Sequence, residues 1–195
     1  MHGLINRAIQ SFACATYGRS CWLRVTDAAR LGFVEFEAML VYDDDMTSKV
    51  MEALSADLDR PQAEVFEDLG TYLVSHPNME GLRRLLRFGG VSYVEFLHSL
   101  DDLADRVRLA VSDLTLPALE LRELSATEFQ LSCSPGLPGY SNVMVGVLRA
   151  MADDYGALVM LSHEGQQQGS DVISIMLVES AFAEGRHFDL GARNG

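Results

Sequence analysis

Five histidines and three cysteines are the side chains in this sequence best able to hold a metal or attack an electrophile. The cysteines, Cys14, Cys21 and Cys133, are scattered and odd in number. They form no CxxC and no Cys/His cluster of the kind zinc requires. They read as small buried thiols in a reducing compartment. Ser132-Cys133-Ser134 has no base that the sequence can assign to it. No GxGxxG, P-loop or nucleophile elbow occurs, so an enzyme is not expected. Among the histidines, His76 precedes Pro77 in a turn, His163 lies at a strand end, His187 in the tail and His2 at the N-terminus. His98 lies in a helix beside Glu95 and Asp102 and reads as a solvated surface residue. The acid runs Asp43–Asp45 and Asp101-Asp102 read as helix caps or solvated faces.

These residues must be positioned by regular elements. Leu4, Ile5, Ala8, Ile9, Phe12 and Ala15 recur at helical spacing up to Gly18. A short helix carries Trp22, Val25, Ala28 and Ala29 and stops at Gly32. Further helices are expected after Asp45, after Pro61 and around Leu82–Leu86. A long one is expected from Tyr93 to Val111, with Val94, Leu97, Leu100, Leu103, Ala104 and Val107 inward, and Glu95, Asp102, Asp105 and Arg106 facing away. The period then changes to two. Leu119 and Leu121, with Leu124 as a candidate end, and then Phe129, Leu131 and Cys133, alternate with polar residues around a turn at Ser125–Thr127. A helix through Val143–Met151 ends near Gly156. Strands at Ala157–Ser162 and Val172–Val178 follow, joined by a polar loop, Glu164–Gly169. The fold class is therefore α+β, a helical N-terminal lobe followed by a four-stranded antiparallel sheet with a crossing helix. One domain is expected over 1–184, its helical lobe about 1–62, with a loosely held tail at 185–195.

The chain has 195 residues, 48% of them hydrophobic, and a formal net charge of −13. That length supports a single packed core. The negative charge disfavours nucleic acid and anionic membrane surfaces. No apolar run is long enough to cross a bilayer, and Gln10 and Ser11 interrupt the one stretch resembling a signal peptide. A cytoplasmic location is expected.

Several ordered landmarks resemble one family. They are Met1–Ala8, Tyr17-Gly18 with Trp22, Tyr42-Asp43-Asp44, Leu85-Leu86-Arg87, Phe96-Leu97 and Leu100-Asp101-Asp102-Leu103. Together they resemble the haem nitric-oxide/oxygen-binding (H-NOX, or HNOB) domains, which include the regulatory region of soluble guanylate cyclase. The resemblance implies haem as cofactor, held by a proximal histidine in the pattern N-L-D-x-L-H. Here Ala104 occupies that position. The family's haem-contacting proline falls thirteen residues later, and Pro117 stands thirteen residues after Ala104. The family's Y-x-S-x-R propionate clamp maps onto Gln130, Ser132 and Ser134 in one register, or Cys133, Pro135 and Leu137 in another. Neither supplies the Tyr or the Arg. Ile5, Leu73, Val143 and Val147 match the family's distal pocket and would equally suit a packed core.

A methyl group has no lone pair for iron. The residues themselves therefore imply no cofactor and no metal site. The function expected is an H-NOX-family sensor or signalling domain acting as a ligand-binding or protein-interaction module without standard haem ligation. The alternative is a haem-based gas or redox sensor with a substitute axial ligand. The resemblance also implies a signalling partner, such as a histidine kinase or a cyclic-di-nucleotide enzyme.

Overall fold

A computed structural model describes residues 1–188, so the tail residues 189–195 lie outside the described part. The chain forms two compact units, Met1–Leu69 and a second beginning at Gly70.

The first unit is helical: α1 (Gly3–Tyr17), α2 (Arg19–Ala28), α3 (Asp44–Leu58) and the start of α4 (Gln62–Ser75). Its core contains Ile9, Phe12, Trp22, Val25, Val50 and Leu54, all nearly inaccessible to water. One stripe of α1 is polar yet buried, and long-range bonds engage its side-chain oxygens. Asn6 Oδ1 accepts from Thr47 Oγ1 at 2.6 Å, and Gln10 Oε1 accepts from the Phe36 amide at 2.9 Å. The Trp22 indole donates to the Val34 carbonyl at 2.7 Å. Asp44 and Asp45 occupy the first turn of α3, where the helix dipole favours acids. Asp44 also pairs with the N-terminal ammonium at 2.5 Å. α2 ends at Ala28, short of the stop expected at Gly32.

The second unit is α+β. Helices α5 (Glu80–Arg87), α6 (Tyr93–His98) and α7 (Leu103–Ala110) precede strands β1 (Leu119–Glu123) and β2 (Glu128–Cys133). Then come α8 (Tyr140–Tyr155), β3 (Leu158–Gln167) and β4 (Ser170–Glu179). The four strands form one antiparallel sheet in the order β1-β2-β4-β3. Register places Leu121 beside Leu131, Leu131 beside Ile173, and Ile175 beside both Phe129 and Leu161. This face packs against α8 through Met144, Val147, Leu148 and Met151.

Three expectations are corrected here. The helix expected from Tyr93 to Val111 is broken: α6 ends at His98, a 3-10 turn spans Leu100–Asp102, and α7 starts at Leu103. Arg106 does not face away, because its guanidinium turns inward onto backbone carbonyls. The polar loop expected at Glu164–Gly169 is mostly strand, because β3 and β4 continue past the sheet core to a two-residue turn. Gln168 and Gly169 both have positive φ, 52° and 89°, as the tightest hairpin turn requires.

Candidate functional site

The segment that carries Ala104 is built around its own break. Ser92 and Glu95 form a reciprocal capping box at the start of α6. Phe96, Leu97 and Leu100 are fully buried, so the 3-10 turn keeps the apolar face of α6 pointed into the core. The break is held by a polar clasp. Arg106 Nη2 donates to the Ser99 carbonyl at 2.8 Å and to Ser99 Oγ at 3.1 Å, and Nη1 donates to the Leu85 carbonyl at 3.3 Å. Burial lowers the Arg106 pKa from its ordinary value, opposed by the Asp102 charge. A Cβ on Gly89 would stand 2.0 Å from Ser99 Oγ, so only glycine lets the α5–α6 connection pass this clasp. Asp101 Oδ1 accepts from the Leu121 amide at 2.7 Å and ties the turn to the outermost strand.

Ala104 is half-buried in the first turn of α7, beside the buried Leu103. Pro117 is buried just before β1, and a Cβ on Gly136 would meet its ring at 3.4 Å. Ser132 is half-buried and lies on the face of β2 opposite Leu131 and Cys133. Val143 and Val147 lie on α8, and Leu73 on α4. These two helices approach closely at Gly70, where a Cβ would sit 2.0 Å from the Val143 carbonyl oxygen. Leu73 is one turn further along α4 on the same side. Ile5 belongs to the first unit, half-buried in α1. Gly70 was not visible as a site residue in the sequence, because a glycine inside a helix signals low propensity and says nothing about the neighbour it admits.

The donors near Ala104 do not fit a histidine-ligated haem. Ala104 has no lone pair, and the nearest histidine in sequence is committed elsewhere. His98 is half exposed, 3.3 Å from Glu123 and edge-on to Phe129. His163 Nδ1 accepts from the Gly165 amide, so Nε2 carries the proton and donates to Ser141 Oγ at 2.9 Å. Ser141 in turn donates to Asp171 at 2.9 Å. This relay ties α8 to the β3–β4 hairpin. Cys133 is buried, and burial with the nearby Asp171 charge pushes its thiol pKa up to about 12. It is a thiol at neutral pH, whereas iron takes a thiolate. Among the described residues, no group of three or more His, Cys, Asp or Glu could hold a metal ion.

Three arginines of this unit gather at one buried carboxylate. Asp154 is 1% exposed and receives Arg83 Nε at 2.7 Å, with Arg87 Nη1 at 3.5 Å and Arg186 Nε at 3.8 Å. Arg87 stacks on the Tyr155 ring at 3.9 Å. The Arg186 amide donates to the Asp154 carbonyl, and Arg83 donates to the His187 carbonyl. Residues 185–188 thus run across the end of α8.

The family model described as Haem-NO-binding (HNOB) matches residues 2–163. This chain belongs to the Haem-NO-binding family. Among curated relatives, this HNOB chain is 20% identical over 168 residues to soluble guanylate cyclase 89Db of Drosophila melanogaster, covering 86% of this chain and 25% of that protein. The chain thus spans about a quarter of the length of that relative. An oxygen-binding H-NOX domain related to soluble guanylate cyclases, solved as its oxygen complex, matches with a TM-score of 0.70. It is 14% identical, with 96% of this chain and all of that chain covered. An Fe(II) unliganded H-NOX variant from K. algicida matches at TM-score 0.76 and 15% identity, covering 93% and 99% of the two chains. These structural likenesses are of fold, and they agree with the α+β architecture described above.

Proposed function

We propose that this HNOB chain is a signalling domain that works as a ligand-binding or protein-interaction module and does not ligate haem through the family's histidine position. The observation that carries the reading is Ala104. A methyl group stands in the first turn of α7 at the position the L-D-x-L spacing assigns to the ligand. The buried Cys133 thiol and the engaged His98 and His163 add support, since none offers a free lone pair there. The remaining family positions, Pro117, Ser132, Ile5, Leu73, Val143 and Val147, are assigned to lining the family's cofactor region. The chain's part in signalling is then carried by contacts. Asp101 links the α6–α7 turn to β1, so a partner that shifts α7 would pull on the sheet edge. The partner class is a separate signalling enzyme, a kinase, a cyclic-di-nucleotide enzyme or a cyclase, and the location is cytoplasmic. No helix among the described residues is long and apolar enough to cross a membrane.

An absorption titration with hemin on wild type and Ala104→His tests this reading. Wild type is expected to give no stoichiometric ligated-iron spectrum, and Ala104→His is expected to gain one. Added imidazole should substitute for the missing side chain if Ala104 leaves room for it. One-to-one hemin binding by wild type with an axial-ligand spectrum overturns the reading in favour of a substitute ligand.

A further inference from the structure

Four guanidinium groups and two carboxylates form one network at the C-terminal end of α8. Arg83, Arg87 and Arg186 surround Asp154, and Arg83 and Arg84 share Glu80. The network therefore carries two positive charges in excess, in a chain whose net charge is −13. Its centre is dry, with the side chains of Asp154, Arg83 and Arg87 only 1%, 5% and 12% exposed. One guanidinium suffices for Asp154, and Arg83 supplies it at 2.7 Å. Arg87 and Arg186 come no nearer to that carboxylate than 3.5 and 3.8 Å. Arg87 Nε and Asp154 Oδ2 are both buried without a hydrogen-bond partner. The neighbouring acids Asp153 and Glu184 are exposed, and among the described residues no ion pair uses them. Buried charge without a counterion is costly, so the surplus calls for an anion.

What covers the network is a strap of backbone, residues 185–188, which belongs to no helix or strand. The Arg186 amide donates to the Asp154 carbonyl at 2.9 Å, and the His187 carbonyl accepts from Arg83 Nη2 at 3.3 Å. The Phe188 ring lies 5.0 Å from the Arg87 guanidinium and 5.6 Å from that of Arg83. The strap thus meets the surplus charge with one neutral carbonyl oxygen and one ring face. Both compensate a guanidinium less well than an oxyanion does.

We propose that Arg83, Arg87 and Arg186 form a binding site for a phosphate dianion, and that the 185–188 strap closes this site by setting the His187 carbonyl and the Phe188 ring on the same guanidinium groups. Two excess charges match the two charges of a phosphoryl group, and planar guanidinium forks fit its oxygens. A carboxylate, with one charge, would leave the network positive. Phosphate and strap compete for the arginines, so each weakens the hold of the other by the same factor. Ligand binding is thereby converted into a released chain segment.

Calorimetric titration of the full chain at constant ionic strength, with inorganic phosphate in one arm and phenyl phosphate in another, tests it. The expected result is saturable binding, weakened at least about tenfold by Arg87→Gln and by Arg186→Gln, the second of which changes a half-exposed side chain. Arg122→Gln, which changes an exposed arginine on β1, should leave binding unchanged. Phe188→Ala loosens the strap and should tighten binding roughly threefold or more. Amide exchange at Arg186 should quicken as the ligand is added. Saturation by inorganic phosphate assigns a free ion to the site, and saturation by phenyl phosphate alone assigns a monoester. No saturable binding of either by wild type or Phe188→Ala overturns the proposal. So does binding that survives both arginine changes, and so does binding that neither tightens in Phe188→Ala nor quickens exchange at Arg186.

Discussion

Asp101 Oδ1 accepts the Leu121 amide at 2.7 Å across twenty residues of chain, joining the turn before Ala104 to the first strand of the sheet. β1 is an outermost strand, so its outward amide would otherwise bond to water. Asp101→Ala is therefore expected to cost about 1 kcal/mol in urea unfolding, the net worth of one partly exposed hydrogen bond. Asp101→Asn keeps an acceptor oxygen and should lose less. Equal stability of wild type and Asp101→Ala would show that the bond contributes nothing.

Two helical glycines should respond in opposite directions to the same substitution. Gly70→Ala places a methyl 2.0 Å from the Val143 carbonyl, and the two backbones must separate. A loss of roughly 2 kcal/mol or more is expected, as for overpacking a tight contact. Gly81, in α5, has open space around its missing Cβ and no positive φ. Gly81→Ala should stabilise by about 0.5–1 kcal/mol through helix propensity. Thermal melts of the two variants check the pair, and matching shifts would refute the steric account.

Cys133 makes stability depend on alkaline pH. Its thiol pKa rises from the ordinary 9.0 to about 12 in the folded protein, chiefly through burial and then through Asp171. The folded state therefore holds the proton more tightly. That contribution is complete below about pH 9 and is lost between about 9 and 12 as the unfolded thiol ionises first. The limiting slope is roughly 1.4 kcal/mol per pH unit. Buried Tyr93 and Tyr140 shift in the same direction through desolvation and add to the loss. Urea midpoints of wild type and Cys133→Ala, compared between neutral pH and about pH 10.5, should converge as pH rises if this linkage holds.

The strands of the sheet were legible because Phe129, Leu131 and Cys133 alternate cleanly and all three are buried. The break before α7 was not. Leu97, Leu100 and Leu103 are spaced by three, which suits a 3-10 turn as well as an α-helix, so the apolar pattern runs through the break unchanged. The far half of the β3–β4 hairpin was hidden for a different reason. Past His163, Glu164, Gln166 and Gln167 are exposed and Gly165 has no side chain, so on β3 no buried face marks these residues as strand. At the candidate site, Ala104 and Pro117 were picked out by the resemblance to the family's pattern, with its thirteen-residue interval as the check on register. The inward turn of Arg106 could not, because a charged residue on a helix reads as solvated until the carbonyls it serves are known.

The strand order β1-β2-β4-β3 has a consequence for synthesis of the chain. The β1–β2 hairpin can close as soon as it is made, yet its inner edge waits for β4, which is the last strand to be translated. Until residues 170–179 emerge, Phe129 and Leu131 have no neighbour on that side, and β3 has no strand to pair with. Folding of this unit therefore cannot finish before β4 is made, and a chain cut off after Gly169 would be left with its sheet half open.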